Sequence, residues 1–120
     1  MVKKAYIASP YTQGDKLQLV QVQIQAWHIL RDKGFYPIAP LLSHYLNEYR
    51  ERAHGEWIKY DLETIAMCDM VICLRIKNEN GKEIPSSGAD METAEATRLG
   101  LEYYEFGSIE DLEKWVKDLL

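Results

Sequence analysis

A short segment that leads into a glutamate is the first feature of this sequence whose spacing could support chemistry. Ser86, Ser87 and Gly88 open a helix-like stretch, and Glu92 follows one turn later. Backbone N–H groups and the helix dipole favour an anion at a helix start, and a glycine lets a ligand approach the backbone closely. A carboxylate beside such a start suggests chemistry on a phosphorylated sugar. A capped helix with a solvated first-turn glutamate fits the same pattern.

A second carboxylate, Asp61, lies on another helix-like stretch. Apolar residues at helical spacing flank it, namely Trp57, Ile58, Leu62 and Ile65. Partial burial among them would raise the pKa of the Asp61 carboxyl. Two carboxylates in different environments can divide into a nucleophile and a proton donor. A solvated helix residue is the alternative interpretation of Asp61.

The elements that would position these residues alternate between strand-like and helix-like segments. The strand-like segments are residues 4–9, 35–39, 70–74 and 101–106. The helix-like segments are residues 16–33, 41–50, 56–68, 86–99 and 109–120. The continuously apolar 70–74 segment is typical of a central parallel strand covered on both faces. The alternation predicts an α/β single-domain three-layer sandwich over residues 1–120, with a mostly parallel Rossmann-like or flavodoxin-like sheet.

The stretch over residues 16–33 fits two structures. Its middle part, Val20 to Ala26, alternates apolar and polar residues with period two, which is a strand pattern. The same stretch has an approximate apolar helical face, with Asp15 placed to cap its start and Gly34 placed just past its end. Its length is also unusual for a strand. We therefore predict a helix.

Three loops follow the carboxyl ends of the predicted strands, where open α/β sheets bind ligands. They are residues 9–14, 40–44 and 77–88. In the first loop we expect Ser9, Pro10 and Tyr11 to line a substrate site. In the second we expect His44 at the same mouth. The third contains the helix start described above.

Composition and charge exclude several classes of function. The 120 residues include 14 Lys and Arg against 19 Asp and Glu, and the net charge of −5 disfavours binding to a nucleic acid polymer. The absence of a long apolar run or a signal-peptide pattern predicts a cytoplasmic protein without membrane contact. Cys68 and Cys73 match no zinc motif and are expected to be reduced core residues. We expect no metal and no cofactor.

Three motifs occur in order along the chain. The first is residues 5–11, which read Ala-Tyr-Ile-Ala-Ser-Pro-Tyr. In the second, Asp61 lies eight residues before Asp69, which directly precedes the Met-Val-Ile strand. The third is Ser86-x-Gly88-x-x-x-Glu92. Together they resemble the first strand and loop, the aspartate helix and the catalytic helix of the nucleoside 2-deoxyribosyltransferase family. The resemblance runs from about residue 4 to residue 106. That family includes transferases that exchange nucleobases and N-glycosidases that hydrolyse nucleoside 5′-monophosphates.

The resemblance implies catalytic roles for three residues. Glu92 would attack the anomeric carbon, Asp61 would protonate or orient the leaving base, and Tyr6 would position Glu92. Such roles suit the chemistry, because the C1′–N bond breaks through an oxocarbenium-like state that a carboxylate stabilises, and a protonated base leaves more easily.

The resemblance also implies residues that bind the substrate. Ser86, Ser87 and Gly88 would hold the 5′ end of the sugar or its phosphate. His44 could contact the base or the phosphate, and Trp57 could stack on the base. A polar rim histidine and a core tryptophan are the alternatives. The first loop departs from the family pattern because it has no arginine.

The function that the resemblance implies is cleavage of the N-glycosidic bond of a (deoxy)nucleoside 5′-monophosphate through a covalent glycosyl-glutamate intermediate, with release of the free base. A nucleobase-exchanging deoxyribosyltransferase and a non-catalytic nucleotide-binding module are the alternatives. A homo-oligomer, dimer or higher, is expected. Its interface could use the apolar C-terminal residues Trp115, Val116, Leu119 and Leu120, which could equally pack on their own sheet.

Overall fold

The computed structural model describes residues 2–9, 16–76 and 87–119. Within these ranges the chain forms four strands and five α-helices. The strands are β1 (Lys4–Ala8), β2 (Tyr36–Ile38), β3 (Met70–Leu74) and β4 (Glu102–Phe106). The helices are α1 (Lys16–Lys33), α2 (Ser43–Tyr49), α3 (His54–Ile65), α4 (Ser87–Leu99) and α5 (Ile109–Lys117). A short 3₁₀ turn, Pro40–Leu42, leads into α2.

The four strands form one parallel sheet in the order β2-β1-β3-β4. The chain moves from β1 to one side for β2 and then crosses to the other side of β1 for β3. The direction of winding therefore reverses between β1 and β3. In open α/β sheets, ligands bind at the carboxyl ends of the strands where the winding reverses.

Helices cover both faces of this sheet. Ala5 and Ile7 of β1 point into a core shared with α1 and α5, whereas Tyr6 and Ala8 point into a core shared with α3 and α4. This alternation follows from the two-residue period of a strand. All five residues of β3 are buried, as its apolar run predicts for a strand between two helical layers. The predicted α/β three-layer architecture is confirmed.

Local signals explain where several elements begin and end. The 16–33 segment is a helix, as predicted, and it stops before Gly34, whose φ of +104° suits a glycine. The cap predicted at Asp15 lies outside the described residues. The Asp69 carboxylate accepts a hydrogen bond of 2.8 Å from the Lys4 backbone N–H, which ties the start of β1 to the start of β3. At α5, Ser108 caps the helix by accepting from the Asp111 backbone N–H.

The C-terminal apolar residues pack within the chain. The Trp115 ring lies 4.9 Å from the Tyr104 ring and 5.4 Å from the Phe106 ring, between centroids. Val116 is buried in the core on the α1 side of the sheet. Of the two arrangements expected for this segment, the structure shows packing on its own sheet for Trp115 and Val116, and Leu120 lies outside the described residues. Helix α5 ends at Lys117, before the predicted end at Leu120.

Cys68 and Cys73 are buried free thiols, as predicted. None of the helices in the described ranges has the length and apolar character needed to cross a membrane.

Candidate active site

The centre of the site is a buried hydrogen bond between a tyrosine and a glutamate. The Tyr6 hydroxyl donates to Glu92 Oε2, and neither side chain is more than 7% exposed. Tyr6 lies in the middle of β1 and points toward α4. On α4, the buried alanines Ala89 and Ala96 lie three residues before and four residues after Glu92, so all three share one helical face. These small side chains let α4 approach the sheet, which brings Glu92 to Tyr6.

The environment of Glu92 sets its protonation. Burial raises the pKa of the Glu92 carboxyl from 4.5 to about 8, and the nearby Asp61 carboxylate acts in the same direction. The hydrogen bond from Tyr6 and the positive charge of Arg75 oppose this rise, because both stabilise the ionised form. Glu92 is therefore a carboxyl that titrates near neutral pH.

The second carboxylate lies on α3 and is half-buried. Burial raises the pKa of Asp61 from 3.8 to about 7. Its charge also raises the pKa of Tyr6 and of Glu92, so the three groups interact electrostatically. The partial burial predicted for Asp61 is confirmed. Both carboxyls change charge between about pH 7 and 8, so the pair holds about one proton there and titrates as a unit.

A cavity of about 370 Å³ opens at the carboxyl end of β1 and brings most of the predicted residues together. It is lined by Ser9, His44, Trp57, Asp61, Gly88 and Glu92, among others. Its volume lies within the range of small-molecule sites, roughly 300–1,000 Å³. Tyr6 is not among the lining residues, and its hydroxyl bonds to Glu92, which is.

Some predicted site residues cannot be placed. Pro10, Tyr11 and Ser86 lie outside the described residues, as does the side chain of Ser87. Gly88 and Ala89 of the first turn of α4 do line the cavity, so the start of this helix meets the site. No group of three His, Cys, Asp or Glu side chains that could hold a metal ion occurs within 2–9, 16–76 and 87–119.

A buried glutamine that the sequence analysis missed organises one wall of the cavity. Gln23 of α1 is 1% exposed, and its Nε2 donates to the Ile7 carbonyl and to Ser9 Oγ, each at 2.9 Å. Its Oε1 accepts from the Leu41 backbone N–H at 3.1 Å. Because Ser9 Oγ accepts from Gln23, the Ser9 hydroxyl hydrogen remains for another acceptor. Gln23 thus joins β1 to the 3₁₀ turn and orients Ser9 in the cavity wall.

Trp57, another residue that lines the cavity, is held in place by an asparagine. Trp57 Nε1 donates to Asn47 Oδ1 at 2.8 Å, and the Arg52 backbone N–H donates to the same oxygen at 2.9 Å. Trp57 and Asp61 are four residues apart on α3 and share one face. His44 of α2 also lines the cavity, and its Nε2 lies 3.0 Å from Glu48 Oε1.

His54, which carries no motif in the sequence, is exposed at the start of α3 and also lines the cavity. Gln23 did carry a signal, because it is a polar residue among the buried positions Leu19, Val20 and Ala26 of one helix. No comparable signal marks Asn47, whose partners lie on a different element.

The Tyr6–Glu92 bond gives a first prediction. Tyr6→Phe removes the hydroxyl that stabilises ionised Glu92, so the pKa of Glu92 should rise further. For any reaction that needs ionised Glu92, we expect a rate about 10–100-fold lower at pH 7, with the acidic limb of the pH–rate profile moved to higher pH. Tyr36→Phe, at an exposed position of β2, is the control. An unchanged pH profile in Tyr6→Phe would contradict the role of the hydroxyl.

The raised pKa of Glu92 also predicts an effect on stability. Between about pH 4.5 and 8 the folded state retains a proton on Glu92 that the unfolded state releases, so the wild-type protein loses stability as the pH rises through this window. A glutamine does not ionise and still offers Tyr6 an oxygen. We expect Glu92→Gln to gain about 2–4 kcal/mol in free energy of unfolding near pH 9, and little near pH 5.

Urea denaturation at pH 5, 7 and 9 measures this effect. The matched control is Glu95→Gln, one turn along the same helix, where Arg98 lowers the pKa of the carboxyl instead. That control should show no gain at pH 9. An equal gain for Glu92→Gln at pH 5 and pH 9 would show that the effect does not come from ionisation.

The fold and the site define a class of protein: a parallel α/β protein with a small-molecule cavity at the reversal of strand order and two carboxyls that titrate near neutral pH. No protein-family model and no curated protein sequence matches the chain. Solved structures do. A 2-desoxiribosyltransferase from Leishmania mexicana superposes with a TM-score of 0.60 at 22% identity over 88% of this chain and 64% of its own.

A 2-deoxyribosyltransferase from Bacillus psychrosaccharolyticus superposes with a TM-score of 0.59 at 27% identity, over 87% of this chain and 72% of its own. This chain therefore spans roughly two thirds to three quarters of the length of these two enzymes. Its fold is that of the 2-deoxyribosyltransferases. The resemblance to the nucleoside 2-deoxyribosyltransferase family that the three motifs indicate is confirmed.

Proposed function

We propose that this protein is an enzyme that cleaves the N-glycosidic bond of a (deoxy)nucleoside 5′-monophosphate and releases the free base. The observation that carries the proposal is the buried Tyr6–Glu92 pair, which meets Asp61 at one cavity. The likeness to two deoxyribosyltransferases supports glycosyl transfer as the reaction type. We propose Glu92, Asp61 and Tyr6 as its catalytic and positioning residues.

In the first step, a carboxylate oxygen of Glu92 bonds to C1′ of the sugar. The C1′–N bond breaks, its electron pair leaves with the base, and the proton of Asp61 moves to the base. The products are a glycosyl ester on Glu92, a neutral base and an ionised Asp61. The Tyr6 hydroxyl holds the attacking carboxylate in place throughout.

In the second step, water bonds to C1′ and the ester bond to Glu92 breaks. Asp61 takes the proton that the water loses, so both carboxyls return to their starting state. Two displacements at C1′ retain its configuration. If a second base attacks C1′ instead of water, the same site acts as a base-exchanging transferase.

At the start of this reaction, Glu92 must be ionised and Asp61 must be protonated. At pH 7 to 8 the pair holds about one proton, and the higher pKa of Glu92, about 8 against about 7 for Asp61, places that proton mainly on Glu92 before substrate binds. Tyr6 and Arg75 stabilise the negative charge on Glu92. A bound base that offers an acceptor nitrogen or oxygen would hold the proton on Asp61. Substrate binding therefore places the proton on Asp61 and leaves Glu92 ionised.

Incubation with a panel of nucleosides and nucleoside monophosphates, scored for free base by chromatography, tests the proposal. Base release that depends on Glu92 supports it. Thermal stabilisation by nucleotides without any base release would instead favour the non-catalytic binding module. Addition of a second base separates hydrolysis from transfer, because a transferase forms a new nucleotide.

A preference for the 5′-phosphate is the next prediction. Gly88 and Ala89 line the cavity at the start of α4, where backbone N–H groups and the helix dipole favour an anion. We propose that this helix start, with Ser86 and Ser87, binds the phosphate. Such contacts contribute about 2–4 kcal/mol together, so kcat/KM should be roughly 30- to 700-fold higher with the phosphate than without it.

The comparison is made with each nucleoside and its own monophosphate at fixed salt. Inorganic phosphate should inhibit cleavage of the monophosphate and leave the free nucleoside less affected. Equal kcat/KM values for the two forms would remove the phosphate site. They would leave the proposed glycosidic cleavage standing, because that cleavage is measured independently on the free nucleoside.

The homo-oligomer and the cytoplasmic location stay predictions. Because Trp115 and Val116 pack within the chain, we expect an interface to use other residues. The 3₁₀ turn and helix α2 together present four exposed apolar side chains at helical spacing, Leu42, Tyr45, Leu46 and Tyr49.

A further inference from the structure

Asn47 is a cavity residue whose hydrogen bonds determine how its amide is oriented. Its side-chain oxygen Oδ1 accepts from the Trp57 indole N–H at 2.8 Å and from the Arg52 backbone N–H at 2.9 Å. Both partners can only donate, so the atom they share must be the amide oxygen. The hydrogen-bond partners alone therefore determine which end of the Asn47 amide is the oxygen and which is the nitrogen.

This orientation leaves the nitrogen end of Asn47 for a ligand. Both side-chain hydrogen bonds of Asn47 among the described residues use Oδ1, and the residue lines the cavity. An amide nitrogen carries two N–H donors and accepts nothing. The Asn47 side chain therefore presents donors only, next to the indole ring that it holds.

The positions of Trp57 and Asp61 indicate which part of a substrate would meet Asn47. The two residues lie one turn apart on the same face of α3, and Asn47 is bonded to the Trp57 ring. If Asp61 delivers its proton to the leaving base, the ring of that base lies against Trp57. In that position, we expect the edge of the base that points away from the sugar to face Asn47.

We propose that Asn47 is a specificity-determining residue that selects bases with a carbonyl oxygen at the edge remote from the sugar over bases with an amino group there. This inference rests on the proposed N-glycosidic cleavage. An oxo group accepts from Nδ2, whereas an amino group would place two donors against each other. A site that donates at this position favours the oxo group, because a bound amino group leaves the Asn47 donor unpaired.

The test compares two pairs of 5′-monophosphates whose bases differ at this edge. Inosine 5′-monophosphate is compared with adenosine 5′-monophosphate, and uridine 5′-monophosphate with cytidine 5′-monophosphate. For the wild-type protein, we expect kcat/KM to favour the oxo member of each pair by at least about 10-fold. Asn47→Asp keeps an oxygen for Trp57 and Arg52 but replaces the donor end with an acceptor. The preference should therefore reverse toward the amino member.

Two further variants separate this role from a structural one. Trp57→Phe keeps an aromatic ring but removes the indole donor, so the Asn47 amide can flip and exchange its oxygen and nitrogen. The preference for the oxo member should then weaken without reversing. Gln25→Glu adds the same charge at an exposed position of α1 and should leave the preference unchanged. An equal loss of activity on both members of a pair in Asn47→Asp, with the ratio unaltered, would overturn the proposal.

Failure of the proposed cleavage can be distinguished from failure of the inference about Asn47. If the wild-type protein releases base from no substrate, the cleavage proposal fails, and the inference is then tested by calorimetric binding of hypoxanthine and adenine. Tighter binding of hypoxanthine that reverses in Asn47→Asp supports donor recognition by Asn47. Binding of the two bases with equal affinity, or the same order in both proteins, would overturn it.

Discussion

Glu92→Gln is expected to lower kcat for base release by at least about 1,000-fold while nucleotide binding is retained. Glutamine has nearly the shape of glutamate and can still accept from the Tyr6 hydroxyl, so the buried geometry should persist. It cannot supply the negatively charged oxygen that bonds to C1′. The loss should therefore fall on kcat and leave KM little changed.

The control for this prediction is Glu95→Gln, on the same helix and paired with Arg98 outside the cavity. It should retain nearly full activity. Binding is followed by calorimetry with a nucleoside monophosphate, so that loss of turnover is separated from loss of the folded site. Retention of more than about a tenth of the wild-type rate in Glu92→Gln would exclude Glu92 as the nucleophile.

Asp61→Asn is expected to produce the second-largest effect, and its size should depend on the leaving group. A natural base leaves readily only when it is protonated, so loss of the proton donor should slow natural nucleotides by about 100- to 10,000-fold. A substrate whose leaving group is already stable as an anion needs no proton. Its cleavage should fall much less, by about 10-fold or less.

The ratio of these two losses is the diagnostic quantity. Glu63→Gln, at an exposed position of the same helix and outside the cavity, is the control and should change neither rate. The Asp61 variant should also lose the basic limb of the pH–rate profile, because that limb reports the acid in its protonated form. Equal losses on both classes of substrate would assign Asp61 to sugar positioning or structure.

The fold could be predicted from local features that the structure retains. The apolar run Met70 to Leu74 is a buried central strand because only a strand between two helical layers needs apolar side chains on both faces. Gly34 ends α1 because its positive φ terminates the helix. Tertiary packing decided the ambiguous 16–33 segment, where the buried residues lie at helical spacing.

The site could be predicted only in part. Glu92, Asp61 and Tyr6 follow from motif spacing and the family resemblance, and the apolar neighbours of Asp61 indicated its partial burial. Gln23 and Asn47 could not be assigned, because their roles come from partners on other elements. Gln23 bonds the Leu41 backbone 18 residues away, and Asn47 bonds the Trp57 indole 10 residues away. The sequence marks Gln23 only as a polar residue among the buried positions of its helix, and it carries no comparable mark at Asn47.

Mass spectrometry of the acid-quenched reaction tests the central claim most directly, which is that Glu92 forms a covalent bond to C1′. During turnover of a nucleoside monophosphate, the wild-type peptide that contains Glu92 should gain the mass of the sugar phosphate, and the Glu92→Gln protein should show no such adduct. The sugar product should retain its configuration at C1′. Base release at the wild-type rate with no adduct and with inversion at C1′ would contradict the account, because direct attack by water inverts that carbon.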